Sequence, residues 1–335
     1  MKIENCVRII DGVLQTTPSV DAFERIIFDA HRILRGDCFF DKDSSARAID
    51  EAIEKGAYAI ITTRDFEHDD TEIAWIRVAS IEQALIKLLR YIVAQKSLVC
   101  VVASPIQAGF LQMVQANKTI KMLQGSLYTY ALEILKAKEQ EMFCFERVDI
   151  VSFIAPQAKY ITPFEQALPI VSKGLFISSF SYNEKLWHEQ KIPALFVPEF
   201  LSVLSFCDEN KIAWQCDNLA FSDHFYPQFV TPSLRKKEFG TSDQVLIFET
   251  DTTLFKKELS YLSASINPQG IVVCLPLEKA STFSIEENIT IITYKDIFEL
   301  ACLRQKTFQY ALVLGDKEAF EPLLNQSFTT QPTLF

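Results

Sequence analysis

The part of this chain that comes nearest to a phosphate-binding site is residues 98–115, LVCVVASPIQAGFLQMVQ. Residues 98–102 form a short apolar run rich in β-branched side chains, which predicts a buried parallel strand, and the spacing from Phe110 onward predicts a helix. Nucleotide-binding enzymes place glycines and a lysine between such a strand and helix, where they wrap a phosphate at the helix N-terminus. The turn here reads ASPIQA, so the strand and the helix are predicted without the residues that hold phosphate.

No other part of the sequence supplies a glycine-rich phosphate loop. The chain has nine glycines, and neither G-x-G-x-x-G nor G-x-x-x-x-G-K-[ST] occurs. Such loops need glycine because the backbone must approach the ligand closely, in conformations that a Cβ forbids. The sequence therefore excludes a standard glycine-rich cradle for a nucleotide.

Charge and hydropathy argue against two broad classes of partner. The net charge is −10, whereas a general nucleic-acid binder needs clustered lysine and arginine to neutralise phosphates. The basic cluster at residues 235–237 is short and is followed by Glu238, which favours a solvated loop. No run of about 18 apolar residues occurs, and the opening MKIENC lacks the apolar core of a signal peptide. We therefore expect no nucleic-acid partner, no membrane span and a cytoplasmic location.

The cysteines and histidines show no spacing typical of a metal site. The eight cysteines are scattered without a C-x-x-C pair, and the four histidines without an H-x-x-x-H pair. Several cysteines lie inside apolar, strand-like runs, which favours buried reduced thiols over disulfides or zinc ligands. The sequence predicts no metal and no cofactor.

Strand-like and helix-like segments alternate along most of the chain. Residues 48–55 suit a helix, residues 58–63 suit a strand, and Ser80 suits the N-cap of a helix over 81–95. The same rhythm resumes after a loop-rich stretch, residues 217–244. This order of elements predicts an α/β architecture with parallel or mixed sheets.

Two blocks near the N-terminus match the opening pattern of a known family. Residues 29–40, DAHRILRGDCFF, align without a gap to D-S-R-x-V-x-P-G-D-L-F-V, and residues 52–61, AIEKGAYAII, align to A-I-x-x-G-A-x-A-V-V. Residues 76–92, IRVASIEQALIKLLRYI, are similar to the helix that leads into the family's ATP domain. The chain thus resembles the Mur ligases, specifically the type that adds D-Ala-D-Ala to the UDP-muramoyl tripeptide.

The resemblance implies a three-part architecture with a reduced central domain. The parts are a UDP-substrate-type domain over 1–96, an ATPase-like domain without a phosphate loop over 97–240, and a C-terminal α/β domain over 241–335. In the last, QVLIFETDTTLFKKELSYL falls where the family has D-D-x-Y-N-A-N-P, without its asparagines. YALVLGDKEAFEPLL falls on V-L-V-K-G-S, with Gly315 kept and the lysine gone.

The same alignment places the opening stretch on the family's I-T-G-S-x-G-K-T-T loop. Its glycines become Ala103 and Ile106, and the degenerate phosphate-loop residues are Ser104, Gln107 and Ala108. Gln107 cannot supply the positive charge of the family's lysine, and Ala108 has no hydroxyl for magnesium. Pro105 also removes a backbone donor where anion binding needs one. We expect ATP binding to be lost and predict no catalytic residue.

The resemblance further implies candidate substrate-binding residues. Asp29, His31 and Arg32 fall at the family's D-S-R positions in the uridine-nucleotide region, although Ala30 and His31 replace its serine and arginine. Arg32 or Arg35 could pair with a pyrophosphate, because a guanidinium fork matches phosphate oxygens. The alternative is that the acidic and glycine residues here only shape turns.

Three further polar residues have a functional and a simpler interpretation. Glu146 falls where the family has a magnesium-binding glutamate, but a lone carboxylate at a strand end is usually solvated, and metal binding needs several oxygen ligands. His188 and His224 lie beside acidic residues, but no nucleophile signature accompanies them. We expect both histidines in surface loops.

We therefore predict a catalytically inactive Mur-ligase-like protein, a pseudoenzyme linked to peptidoglycan precursor metabolism or its machinery. Its partner would be a UDP-muramoyl peptide or a cell-wall synthesis protein. Two alternatives stay open: an active nucleotide-sugar or peptide ligase with an unconventional ATP site, and a scaffold without a small ligand. An open cavity lined by Arg32 or Arg35 favours ligand binding, and one packed with Phe and Leu favours scaffolding.

Overall fold

A computed structural model describes residues 1–65, 72–117, 119–164, 169–216 and 219–325. The contacts within the chain group it into two compact units. Unit 1 contains Met1–Ser104 and Lys118–Ile161, and unit 2 contains Pro105–Asn117 and Thr162–Phe335. The predicted division into three domains at residues 96/97 and 240/241 stays a prediction.

The first sheet of unit 1 is mixed. Its strands lie in the order β1-β5-β4-β3-β2, with β1 antiparallel to β5 and the other pairs parallel. The elements of this region, in chain order, are α1 (Ile3–Ile9), β1 (Val13–Leu14), β2 (Ile26–Ile27), β3 (Cys38–Phe40), α2 (Ala46–Glu54), β4 (Ala59–Thr62), β5 (Ala74–Arg77) and α3 (Ile81–Gln95).

Helix α3 shows how local sequence dictates this part of the fold. The Ser80 side chain accepts a hydrogen bond from the backbone N–H of Gln83, which caps the helix as predicted. The apolar positions recur at helical spacing, and each is buried against the rest of unit 1: Ile81, Ala84, Leu85, Leu88, Leu89, Ile92 and Val93. The predicted helix over 81–95 and its serine cap are confirmed.

The second sheet of unit 1 is parallel, with the order β7-β8-β6-β9. One helix of this stretch, α4, belongs to unit 2, because the chain leaves unit 1 after Ser104. The elements, in chain order, are β6 (Val99–Val102), α4 (Pro105–Val114), β7 (Ile120–Leu123), α5 (Leu127–Lys136), β8 (Met142–Phe145), α6 (Val148–Ile154) and β9 (Lys159–Tyr160).

Unit 2 holds a three-stranded antiparallel sheet and a five-stranded mixed sheet in the order β13-β14-β17-β15-β16. In the latter, β13 runs antiparallel to β14 and the other pairs are parallel. The elements are β10 (Ile170–Lys173), β11 (Ser178–Tyr182), β12 (Lys185–Gln190), α7 (Val197–Glu209), β13 (Tyr226–Val230), β14 (Gln244–Glu249), α8 (Thr252–Ser265), β15 (Ile271–Pro276), β16 (Thr290–Tyr294), β17 (Tyr310–Leu314) and α9 (Lys317–Asn325). Between β16 and β17 the chain forms a 3₁₀ helix, Ile297–Gln305.

Helices α8 and α9 pack on opposite faces of the five-stranded sheet. The ring of Phe248 in β14 contacts that of Phe320 in α9, with 5.3 Å between centroids. The next residue, Glu249, points to the other face, where its side chain meets Glu258 of α8. The carboxyl end of β14 therefore lies where the two layers of helices diverge.

The predicted α/β class with parallel and mixed sheets is confirmed. All eight cysteines are unpaired, and seven of them are buried, in agreement with reduced thiols in the core. Among the described residues, no helix combines the length and the apolarity that a membrane crossing requires.

Candidate functional site

The turn at the degenerate phosphate-loop position is too short to surround a phosphate. Only Ala103 and Ser104 separate the end of β6 from the start of α4. Gln107 and Ala108 therefore lie inside the helix, where Ala108 is buried. The Gln107 Nε2 donates a hydrogen bond to Oγ of Ser202 in α7, at 3.0 Å, so this side chain serves packing within unit 2.

The residues predicted for the uridine region form a tight 3₁₀ turn, Ala30–Arg32. The Asp29 carboxylate accepts from the backbone N–H of His31 at 3.0 Å, and Arg32 Nε lies 3.6 Å from the same carboxylate. Asp37 also shapes the backbone, because its buried carboxylate accepts from the N–H of Leu34 at 2.8 Å. Hydrogen bonds to the backbone of the turn thus account for both acidic residues, Asp29 and Asp37. This agrees with the alternative that the acidic residues here shape turns.

Arg25 holds Asp37 with a two-pronged ion pair. Its Nε and its terminal nitrogen lie 2.9 and 2.6 Å from the two carboxylate oxygens. This hydrogen bonding and charge raise the pKa of Arg25 above its usual value. Because the guanidinium is already paired with Asp37, we do not expect it to bind a ligand anion.

A cavity of about 790 Å³ opens in unit 1 beside the 3₁₀ turn. Apolar and aromatic side chains make most of its wall, and cationic side chains lie among them. We call it the unit 1 cavity. Its lining consists of Met1, Phe23, Glu24, Arg25, Ile26, Ile27, Phe28, Asp29, Arg32, Lys42, Ile92, Gln95, Lys96, Tyr128, Leu132, Leu135 and Lys136.

The cations of this lining fall into two groups. The first group, Arg25 and Lys96, is already hydrogen-bonded within the protein. The Nζ of Lys96 donates to the carbonyls of Ile134, Leu135 and Ala137 at 3.4, 2.9 and 2.6 Å. Burial lowers the pKa of Lys96. The second group comprises Arg32, Lys42 and Lys136, whose ion pairs within the described ranges are loose, at 3.6–3.8 Å with exposed acids. These three side chains can reorient toward an anion at little cost.

Aromatic rings supply flat apolar surface in the same cavity. The rings of Phe28 and Tyr128 meet edge to face with 5.7 Å between centroids, and Lys42 Nζ lies 5.9 Å from the Tyr128 centroid. Such surfaces suit the faces of a sugar or a nucleobase, whereas the loosely paired cations suit phosphate oxygens. The arrangement can therefore bind an anion that carries a ring system.

The predicted site residues do not all lie together. Asp29 and Arg32 line the unit 1 cavity, whereas His31 lines a smaller cavity of about 300 Å³, where its Nδ1 lies 2.5 Å from Glu51. Arg35 lines neither, and its side-chain stem packs beside Gly56. Of the three loosely paired cations of the unit 1 cavity, the sequence thus indicated Arg32 and missed Lys42 and Lys136.

Glu146 lies at the end of β8, where it accepts a hydrogen bond from Nε2 of Gln124 at 2.7 Å. In the ranges that the structure describes, no group of three or more His, Cys, Asp or Glu side chains is arranged to hold a metal ion.

A second polar cluster lies in unit 2, and it corrects the prediction for His224. This histidine lies in the turn before β13, but its side chain is not at the surface, because only 19% of it is exposed and its Nδ1 lies 2.9 Å from Oε2 of Glu249. Glu249 is buried at the end of β14, and its other oxygen accepts from the N–H groups of Thr250 and Asp251, both at 2.7 Å. His188, in contrast, has 71% of its side chain exposed, but it lies in the strand β12 rather than in the predicted loop.

Burial and charge act in opposite directions on His224. Burial alone would lower its pKa, but the hydrogen bond and charge of Glu249, with the charges of Asp223 and Asp251, raise it above the usual 6.5. Because Nδ1 serves Glu249, the other ring nitrogen, Nε2, is left for a contact on the side away from β14.

Glu258 of α8 is fully buried behind this pair. Neither of its carboxyl oxygens has a donor within the described part of the chain, and the group faces Glu249. Burial, then the neighbouring charge of Glu249, raises the pKa of Glu258 to about 10. Glu258 therefore carries its proton at neutral pH and can donate it to the Glu249 carboxylate.

Comparison with known sequences finds no relative: no family model and no curated protein matches the chain. Comparison with solved structures finds proteins with a similar fold. MurF ligase from Thermotoga maritima, solved in complex with ADP, superimposes with a TM-score of 0.58 at 14% identity, over 90% of this chain and 96% of that one.

Two structures from Acinetobacter baumannii are also similar. One, described as MurF, gives a TM-score of 0.56 at 8% identity over 97% of this chain and 99% of that one. The other, a UDP-N-acetylmuramoylalanyl-D-glutamyl-2,6-diaminopimelate–D-alanyl-D-alanyl ligase, gives 0.52 at 10% identity over 96% and 97%. At such low identity the likeness concerns the fold.

Proposed function

We propose that this chain, which has the fold of the Mur ligases, binds an anionic nucleotide sugar of the UDP-muramoyl peptide type in the unit 1 cavity and does not ligate it. The observation that carries this proposal is the cavity itself, whose loosely paired cations lie beside aromatic surface. One of the similar structures is a UDP-N-acetylmuramoyl peptide ligase, which favours that class of ligand.

The lining matches the parts of such a ligand. Arg32, Lys42 and Lys136 supply three cations for a pyrophosphate, and none of them is held by a buried acid. Phe28 and Tyr128 supply apolar faces for a uracil or a sugar ring. A cavity of about 790 Å³ is within the usual range for small-molecule sites.

The short turn between β6 and α4 supports the proposed absence of ligation. Carboxylate activation by ATP requires donors and a cation around the transferred phosphate. With two residues in the turn, Gln107 at the lysine position and Pro105 opening the helix, this chain has no such cradle there. The Thermotoga maritima structure holds ADP, and we infer that this chain does not hold ATP at the corresponding turn.

Calorimetric titration of the purified chain with UDP-N-acetylmuramoyl tripeptide, and separately with Mg-ATP, tests the proposal. We expect heat of binding with the first and none with the second. Arg32→Ala should weaken binding by about tenfold or more, because a charged hydrogen bond to phosphate is lost. Arg35→Ala is the matched control, since Arg35 lies outside the cavity lining, and it should bind as the wild type.

The other outcomes select the alternatives. Binding of both ligands, with ATP-dependent turnover, would restore the active ligase and refute the loss of the ATP site. No heat with either ligand would refute ligand binding and leave the scaffold, for which a stable complex with a cell-wall synthesis protein is the corresponding finding.

A further inference from the structure

A second cavity opens in unit 2 where the strands β14 and β17 end. The backbone N–H of Gly315, just after β17, donates to the carbonyl of Glu249, the last residue of β14, at 2.8 Å. Helix α8 follows β14 on one face of the sheet and α9 follows β17 on the other. Ligands of open α/β sheets bind in crevices of this kind, outside the carboxyl ends of strands whose helices diverge.

We call this cavity the unit 2 crevice. It has a volume of about 260 Å³, and its lining is rich in acidic side chains. The lining consists of Asp223, His224, Tyr226, Phe248, Glu249, Thr250, Gly315, Asp316, Lys317 and Glu318.

Two of these acids are committed to the fold, and two are not. Glu249 is taken by His224 and two backbone N–H groups, and Asp316 accepts from the N–H of Glu318 at 2.9 Å. Asp223 and Glu318 are exposed, and their carboxylates have no hydrogen bond or ion pair within the described ranges. Two uncompensated carboxylates at one small crevice favour a positively charged ligand.

The wall behind the crevice contains one further carboxyl group. Glu258 is fully buried against Glu249, with no donor in the described chain for either oxygen. Burial, and then the charge of Glu249, keeps its proton in place at neutral pH, so Glu258 is neutral and adds no negative charge to the crevice. The charge that attracts a cation is therefore that of the carboxylates in the lining.

The aromatic ring in the crevice already receives a cation. The ammonium of Lys317 lies 3.8 Å from the centroid of the Tyr226 ring, which is close for a cation–π contact. Tyr226 begins β13 opposite Phe248, so the sheet fixes the ring in place. Lys317, in contrast, reaches it from the first turn of α9 on a flexible stem.

We propose that the unit 2 crevice binds a small organic cation, a primary ammonium without an attached carboxylate, which replaces the Lys317 ammonium on the Tyr226 ring. The carboxylates of Asp223 and Glu318 are its counter-ions. Lys317 acts as a built-in competitor that covers the ring when no ligand is present. The proposal is independent of the unit 1 cavity, and failure of one leaves the other intact.

The acidic lining also sets selectivity. A zwitterion such as an amino acid would bring a carboxylate close to these acidic side chains, and like-charge repulsion would offset the attraction of its ammonium. Of two ligands with the same chain length, the plain amine should therefore bind more tightly than the amino acid.

Proton binding by His224 competes with the ligand. Protonated imidazole supplies a positive charge to the same cluster, so the cation should bind more tightly as the pH rises through the pKa of His224. The charged and titratable groups that face this histidine, or share its crevice, are Asp223, Tyr226, Glu249, Asp251, Glu258, Asp316, Lys317 and Glu318.

The test follows the Tyr226 and His224 resonances of the full chain by NMR while butylamine, 4-aminobutanoate or butanoate is added. We expect saturable shifts with butylamine, weaker binding of 4-aminobutanoate and none of butanoate. The affinity for butylamine should rise as the pH is raised above 6.5 and through the pKa of His224, and His224→Gln should remove that rise.

Variants separate the site from general attraction to an acidic protein. Lys317→Met should tighten butylamine binding by about threefold to tenfold, because the competing ammonium is gone. Asp223→Asn with Glu318→Gln should weaken it by a similar factor. Lys185→Met removes a comparable ammonium, 4.0 Å from the Trp187 centroid in the same unit, and should change nothing.

Three results would overturn the proposal. The first is that butylamine causes no saturable NMR shift in the Lys317→Met variant at any pH. The second is that butylamine and 4-aminobutanoate bind with equal affinity. The third is that Lys317→Met and Lys185→Met change the butylamine affinity equally. Since the substituted residues are exposed or half-buried, folding of the variants is checked directly by their amide spectra.

Discussion

The Nε2 of Gln107 lies 3.0 Å from Oγ of Ser202, and this hydrogen bond joins α4 to α7 inside unit 2. The residue that the sequence alignment predicts for the lysine position of the Mur-ligase phosphate loop is thus used as a packing residue. Ser202 is buried and its hydroxyl donates a hydrogen bond to the carbonyl of Glu199, so the amide of Gln107 completes a local hydrogen-bond chain.

Restoring the lysine should not restore the nucleotide site. We expect Gln107→Lys to bind no Mg-ATP in a calorimetric titration, because the two-residue turn still lacks the backbone donors that surround a phosphate. The free energy of unfolding of the variant should also be lower by about 1 kcal/mol, because the hydrogen bond to Ser202 is lost. Gln112→Lys, on an exposed position of the same helix, is the control for adding a charge to α4. ATP binding by Gln107→Lys would show that the cradle is intact.

Replacing the buried acid of α8 should stabilise the protein. The pKa of Glu258 is raised from 4.5 to about 10, so its contribution is fully favourable only below about pH 4.5 and is lost progressively as the pH rises toward 10. Glu258→Gln is neutral at all pH values and can donate to Glu249. We expect it to raise the free energy of unfolding by about 2–3 kcal/mol at pH 7, with a smaller gain at pH 4.

Chemical denaturation at several pH values measures this effect. Glu287→Gln, on an exposed position of the same unit, should leave the pH dependence unchanged. A loss of stability in Glu258→Gln at pH 7 would mean that the carboxylate, rather than the acid, is the form that the fold uses.

The imidazole of His224 should titrate above its usual range, and Glu249 should be the reason. A folded-state pKa above 6.5 means that His224 adds stability below about pH 6.5, and that this is lost as the pH rises through the folded value. In Glu249→Gln the charge and the ionic hydrogen bond are gone while burial remains, so the pKa should fall below that of the wild type. NMR titration of the ring protons gives both values. An unchanged pKa in Glu249→Gln would contradict the assigned pair.

Arg25 should matter for folding rather than for ligand binding, although it lines the unit 1 cavity. Arg25→Met leaves the buried carboxylate of Asp37 without its ion pair, and an unpaired buried charge is strongly destabilising. We expect a lower melting temperature, partly recovered by adding Asp37→Asn to the same chain. In ligand titrations well below that temperature, Arg25→Met should bind better than Arg32→Ala; the reverse order would place Arg25 among the ligand contacts.

Elements set by local sequence could be predicted, and contacts between distant segments could not. Helix α3 needed only a serine cap and an apolar repeat, both visible within sixteen residues of sequence. The unit 1 cavity combines Lys42 after a strand with Tyr128 and Lys136 from α5, and no spacing rule joins those positions. Arg32 was found because it lies in the block that resembles the family.

His224 shows the same limit within unit 2. Its sequence neighbours are those of a surface loop, and nothing near it signals burial. The partner that buries it, Glu249, comes 25 residues later and reaches it only because β13 and β14 pair antiparallel. The feature that could have indicated the cluster was the pair of acids, Glu249 and Asp251, that follows the apolar run 245–248.

The placement of α4 has a consequence for how the chain is made. Its apolar face, with Phe110 against Phe200 at 5.2 Å between ring centroids, is covered by α7, which begins about 80 residues after α4 ends. At about 5–20 residues per second, the ribosome exposes that face for several seconds before its cover emerges, while the segments on either side can already join unit 1. The nascent chain therefore passes through a stage in which α4 exposes an apolar face to solvent. A chaperone can bind the helix at that stage, and slowed translation would prolong the exposure.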